Sequence, residues 1–112
     1  MNDKDIYLLF SEQFRILDDN LDGLVKKAEG FAQANAIIEA WKQANLNHMR
    51  ARNKIFSAHA AEITDLVKNF EDAQKSIKEA LEDLKGGAAT IGKVSKVVTA
   101  AVDAGKKLQE AV

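Results

Sequence analysis

Apolar residues recur every seven positions along most of this chain. From Tyr7 the series runs through Phe14, Leu21, Ala28, Asn35, Lys42, Met49, Phe56, Ile63, Phe70, Ile77 and Leu84, and only Asn35 and Lys42, neighbours in the series, are polar. A second line, three residues on, holds Phe10, Leu17, Leu24, Phe31 and Ile38. Alternating steps of three and four put all of these on one face of a helix. The sequence contains no proline, so nothing in it interrupts a long helix. Ala, Leu, Lys, Glu and Gln, the good helix formers, are abundant. The fold class these features imply is all-α.

Beyond Phe56 the stripe widens. Asn53, Ala60, Val67, Gln74 and Leu81 flank it on one side. Arg52, His59, Leu66, Ala73 and Ala80 flank it on the other and are apolar only in the later half. A wide stripe fits a helix packed against two neighbours. The pattern falters at Gln43-Ala44-Asn45-Leu46-Asn47, where two asparagines can cap a new helix. The reading is a single helical domain over residues 1–112. It has a helix at 3–42, a turn at 43–47, a helix at 48–85, a Gly-Gly break at 86–87 and a third helix at 88–112. The alternative is one straight helix through the turn, roughly 120 Å long at about 1.5 Å per residue. Such a helix could bury its stripe only against another chain.

Gly86-Gly87 is a fitting helix stop, and Lys85 suits the negative end of the helix dipole. The last segment repeats the three-and-four spacing with Ile91, Val94, Val98, Ala101, Gly105, Leu108 and Val112. Its branched residues and glycines weaken an isolated helix, so it is expected to be helical only when docked, and to be the least stable element. The architecture expected is an antiparallel hairpin with a shorter third C-terminal helix packed on it, a coiled-coil-like three-helix bundle.

Charge falls in blocks. Residues 1–41 hold four basic and eight acidic groups, and residues 62–84 hold three basic and seven acidic. Residues 42–61 hold Lys42, Arg50, Arg52 and Lys54 and no acid, and residues 85–112 hold five basic and two acidic groups. A hairpin stacks the two acidic blocks, Asp18, Asp19 and Asp22 beside Glu71 and Asp72. The basic third helix, through Lys93, Lys96, Lys106 and Lys107, would relieve that repulsion, and high salt would loosen it. The third helix is too short to reach the turn, which leaves a two-helix tip with Ile37, Ile38, Trp41, Leu46, Met49 and Phe56 beside the basic block. Exposed apolar surface of that kind usually meets a partner. The partner-binding residues expected are Trp41, Leu46, Met49, Arg50 and Arg52. Trp41 is the sole tryptophan; it either closes the hairpin end as a core residue or anchors an interface.

A tryptophan in the middle of a helical hairpin of this length resembles the secreted WXG-type hairpins. The tripeptide here is Trp41-Lys42-Gln43, without the glycine, and the chain is not assigned to them. Asn35, Asn53 and Gln74 fall on buried lines, where an amide can fix the pairing of helices. His59 and Glu62 share a face, but a bundle metal site wants the order Glu then His and further inward carboxylates. The serines have no organised histidine base. Gly86-Gly87 is not a phosphate loop, since no Gly-Lys-Ser/Thr follows. With no cysteine, thiolate sites and disulfides are excluded. No catalytic residue, cofactor or metal is therefore expected.

The acidic start Met1-Asn2-Asp3-Lys4-Asp5 is unlike a classical signal peptide, and no apolar run is long enough for an ordinary membrane span. The cytoplasm is the default location. The function expected is non-enzymatic protein–protein association with self-assembly, the partner being a second copy or another helical protein. The alternative is a membrane-active helical protein, such as a small component of a pore-forming or secreted toxin system. It is motivated by the Ala/Val-rich segment from Gly86 to Val102 and by an anionic membrane surface as partner. The flanking acidic blocks argue against nucleic acid.

Overall fold

The computed structural model describes residues 2–112. They form four helices: α1 (Asp3–Lys27), α2 (Phe31–Ala51), α3 (Ala60–Lys85) and α4 (Ile91–Glu110), with a single 3-10 turn at Phe56–His59 before α3. The all-α expectation holds, but the bundle has four helices rather than three. The expected turn at 43–47 lies inside α2, and the expected helix 3–42 is cut instead at Ala28-Glu29-Gly30. Gly30 has φ of 128°, a conformation that side chains rarely adopt. Lys26 and Lys27 in the turn before it suit the end of a helix. The second break, Arg52-Asn53-Lys54-Ile55, is held at both ends of the chain. Ser57 donates to Asp3 through its N–H (2.6 Å) and its hydroxyl (3.1 Å), and Lys54 Nζ donates to the Val112 carbonyl at 2.8 Å.

The Gly-Gly stop is where the sequence places it. α3 ends at Lys85, Gly87 takes φ of 79°, and the Ala88 N–H returns to the Asp83 carbonyl at 2.7 Å. The other caps are local too. Asn2 and Asp5 form a reciprocal capping box on α1, and the Thr90 hydroxyl accepts from the Lys93 N–H on α4.

The chain folds as two antiparallel hairpins, α1/α2 and α3/α4, laid side by side. α2 runs parallel to α4, with Gln33 against Gly92 at one end and Asn47 against Gly105 at the other. α1 runs parallel to α3, with Phe10 against Phe70 (ring centroids 4.6 Å apart) and an ion pair from Lys78 to Glu12. α2 and α3, although consecutive, are diagonal. The α2/α4 backbones approach closely because small residues line the seam. Ala40, Ala44 and Ala51 are buried on α2, and a Cβ on Gly105 would come within 3.0 Å of the Phe70 ring and 3.2 Å of Asn47 Nδ2.

Two apolar clusters fill the interior. One gathers Leu17, Leu24, Ile37, Ile77, Val94 and Val98; the other gathers Ile6, Phe10, Phe56, Ile63, Phe70 and Leu108. Between them lies a layer of buried amides from all four helices. Gln13 Nε2 donates to the Gln74 side-chain oxygen (3.4 Å) and the Ala101 carbonyl (3.2 Å). Asn47 Nδ2 donates to the Val102 carbonyl at 3.1 Å, and Asn47 Oδ1 accepts from Gln43 (2.8 Å) and Gln109 (3.5 Å). Among the described residues Gln74 Nε2 is the one buried side-chain polar atom without a partner. This layer explains why the polar run around Asn47 is no turn: its amide has a place in the interior.

Several sequence expectations change with this arrangement. Phe56, Ile63, Phe70 and Ile77 are buried as expected, and so is Gln74. On α1 the line Phe10, Leu17, Leu24 is buried, while Tyr7, Phe14, Leu21 and Ala28 are half-buried against α2. Past Gly30 the buried stripe slips by one residue, to Ile37, Ala40, Ala44, Asn47 and Ala51. Asn35 and Asn53 are exposed and pin nothing. α4 is not a short appendage: with 20 residues against 21 in α2, it packs along both α2 and α3 and buries nine of its own. Its docking rests on apolar burial and the amide layer, not on charge. Lys106 and Lys107 pair with Glu110 and Asp103 on the same helix, and among the described residues no α4 cation forms an ion pair with another helix. The expected two-helix tip is thus filled by α4.

Candidate association surface

α2 is built the wrong way round for a helix that faces only its own bundle. Its interior side is alanines, Ile37 and Asn47. Its opposite side carries Phe31, Asn35, Ile38, Lys42, Leu46 and Met49, whose spacing of three and four puts them on one stripe. Phe31 is 87% exposed, Met49 60% and Leu46 37%. Single exposed apolar residues are ordinary on a protein surface. Three of them share one helix face, Phe31 at one end and Leu46 with Met49 at the other, while alanines fill the inside, which makes this face the candidate interaction site.

Charge frames the stripe. Glu29 precedes Phe31 at the N-terminal end, and Arg50 and Arg52 are exposed beside Met49 at the C-terminal end. Glu39 and Lys42 stand near the midpoint, 3.4 Å apart and both well exposed. Neither Arg50 nor Arg52 forms an ion pair among the described residues. Four of the five residues expected from sequence, Leu46, Met49, Arg50 and Arg52, therefore lie on or beside one exposed face.

Trp41 is placed differently. It is half-buried in the α1/α2 seam, its ring 6.3 Å from that of Phe14, and its indole N–H donates to Asp18 at 3.0 Å. It belongs to a ladder of rings between the two helices. His48 stacks on Tyr7 (5.3 Å) and on Phe14 (5.7 Å), and the Tyr7 hydroxyl lies 2.8 Å from His48 Nε2. Of the two sequence readings of Trp41, the packing one describes its position. Phe31 was missed, because its place in the seven-residue series assigned it to the core.

Other candidate chemistry is dispersed. His59 and Glu62 are both exposed, and no group of three His, Asp or Glu residues among those described is placed to hold a metal. Ser57 is tied to Asp3. No helix among the described residues is long and apolar enough to cross a membrane. The Ala/Val-rich face of α4 lies in the bundle interior. A groove between the start of α1 and α3 is floored by Ile6, Phe56, Ile63 and Val67, all of which are buried core residues. Comparison with protein-family models, curated proteins and solved structures found no match.

Proposed function

We propose that this chain is a non-enzymatic helical-bundle association module that docks through the outer face of α2, with self-assembly as its first use. The observation that carries the reading is the inverted apolar distribution of α2, alanine inward and Phe31, Leu46 and Met49 outward. Arg50 and Arg52 supply charge that steers the approach of an acidic surface more than it adds affinity. One exposed helix is a small footprint, which suits weak, concentration-dependent association.

Light scattering over micromolar to millimolar concentration tests it. The average mass is expected to rise above that of the monomer, and the variant Arg50→Glu with Arg52→Glu to shift that rise to higher concentration, with helical content unchanged. Met49→Lys is expected to act in the same direction. Trp41→Ala should instead lower the melting temperature, because it opens the α1/α2 seam. A chain that stays strictly monomeric throughout would sink the self-assembly reading.

A second reading has an observation in its favour. Exposed Met49 flanked by free-standing Arg50 and Arg52 also suits an anionic bilayer surface. Sedimentation with anionic vesicles separates the two, since only a lipid-binding chain pellets with them.

A further inference from the structure

We infer that the partner of the α2 face is the same face of a second copy, packed antiparallel about a two-fold axis near the midpoint of the helix. The inference rests on the reading of that face as the association surface and adds the partner and its orientation.

The face is self-complementary in one direction only. Its apolar anchors, Phe31 and Met49, stand at opposite ends of the 21-residue helix. Acid lies by the first, at Glu29, and base by the second, at Arg50 and Arg52. An antiparallel pair with Phe31 opposite the partner subunit's Met49 brings Glu29 to the partner's Arg50 and Arg52. In the same register Asn35 lies opposite the partner's Leu46, and Glu39 opposite the partner's Lys42. Two-fold symmetry makes each of these contacts twice. A parallel pair would set Arg50 and Arg52 against their own copies, Glu29 against Glu29, and the two helix dipoles side by side in the same sense. Like charges placed together suppress the wrong arrangement. The exposed Glu39–Lys42 pair within one helix is free to share its partners across the axis, since Lys42 lies on the stripe and Glu39 beside it.

The distances in such a pair are easily told apart. Antiparallel packing puts Phe31 about 27 Å along the axis from its own copy, at about 1.5 Å per residue. Asn35 lies about 16 Å from its copy but level with the partner's Leu46. A disulfide needs Cα atoms within about 7 Å, and the natural sequence has no cysteine to interfere.

The experiment mixes full-length Asn35→Cys and Leu46→Cys chains under mild oxidation. The mixed disulfide is expected to outweigh either chain linked to itself by about tenfold, as only the mixed pair meets the geometric limit. A second measurement uses no cysteine. Glu39→Lys alone and Lys42→Glu alone are each expected to weaken self-association by about tenfold, since symmetry counts each of these charges twice. The double exchange is expected to restore it. Self-association with equal linking of like chains, or with no rescue by the double exchange, overturns the antiparallel arrangement and leaves the association reading standing. A chain that neither self-associates nor cross-links overturns both.

Discussion

Phe70→Ala is expected to destabilise the protein by about 3–5 kcal/mol, the usual range for removing a fully buried phenylalanine. Phe70 is 0% exposed, packs against Phe10 with the two rings tilted by 43°, and closes over Gly105. It spans the gap between α1 and α3, whose backbones stand farther apart than those of the other neighbouring helices. Truncation leaves Phe10, Phe56 and Leu108 around a void that the rigid α2/α4 seam cannot collapse to fill. Total stabilities of small domains are about 5–15 kcal/mol, so the variant should sit close to its unfolding threshold. Urea unfolding followed by circular dichroism gives the number. A loss below about 1 kcal/mol, the scale of an ordinary substitution, would show that the α1/α3 gap is not held by this ring.

Ending the chain after Gly87 should have a larger effect still, abolishing cooperative unfolding altogether. The deletion takes Ile91, Val94, Val98, Ala101, Val102 and Leu108 out of the interior. At about 1.5–3 kcal/mol for each larger buried side chain, the loss approaches the whole stability of a small domain. It also removes two acceptors of the amide layer, since Gln13 loses the Ala101 carbonyl and Asn47 loses that of Val102. The truncated chain is expected to aggregate and to give a broad, featureless melt. A sharp transition near that of the full chain would show α4 to be an accessory to the other three helices.

Where large apolar residues and burial coincide, the sequence is readable. Ile63, Phe70 and Ile77 sit at seven-residue spacing, their flanks widen toward Leu81, and Gly86-Gly87 closes the helix; the buried face and the end of α3 follow from those facts, but its start does not, since the helix expected over 48–85 is broken between Ala51 and Ala60. α2 is unreadable for the opposite reason. Its interior is chosen for smallness, so that α2 and α4 can approach, and the larger Phe31, Ile38 and Met49 lie outside the buried stripe. A pattern weighted by hydrophobicity then points to the wrong side of the helix. The slip from Ile38 to Ile37 across Gly30 is invisible without the φ of that glycine. The amide layer needs Gln13, Asn47, Gln74 and Gln109 to converge from four helices, a coincidence no single stretch contains. The charge block at 42–61 pointed to Leu46, Met49, Arg50 and Arg52 through a two-helix tip that α4 in fact fills; these four lie instead on or beside the outer face of α2. Phe31 escaped because the same periodicity that revealed the helices claimed it for the core.

The side-by-side pairing of two hairpins also sets an order of events in time. Each hairpin joins helices that are neighbours in sequence, through three residues at 28–30 and five at 86–90. Chain closure over such short spans is entropically cheap, and contacts of that kind form fast. The seam between α2 and α4 joins residues that are far apart along the chain, such as Asn47 and Val102, and it is expected to close after the hairpins. With no proline in the sequence, no isomerisation phase lasting tens of seconds intervenes. Weakening one hairpin from within, for example by Trp41→Ala in the α1/α2 seam, should therefore slow folding, because those contacts exist before the hairpins dock. A matched destabilisation of the α2/α4 seam, such as Asn47→Ala, removes contacts that form last and should act mainly on unfolding. Stopped-flow folding rates of the two variants distinguish these outcomes, and equal slowing by both would mean that the four helices assemble in a single concerted step.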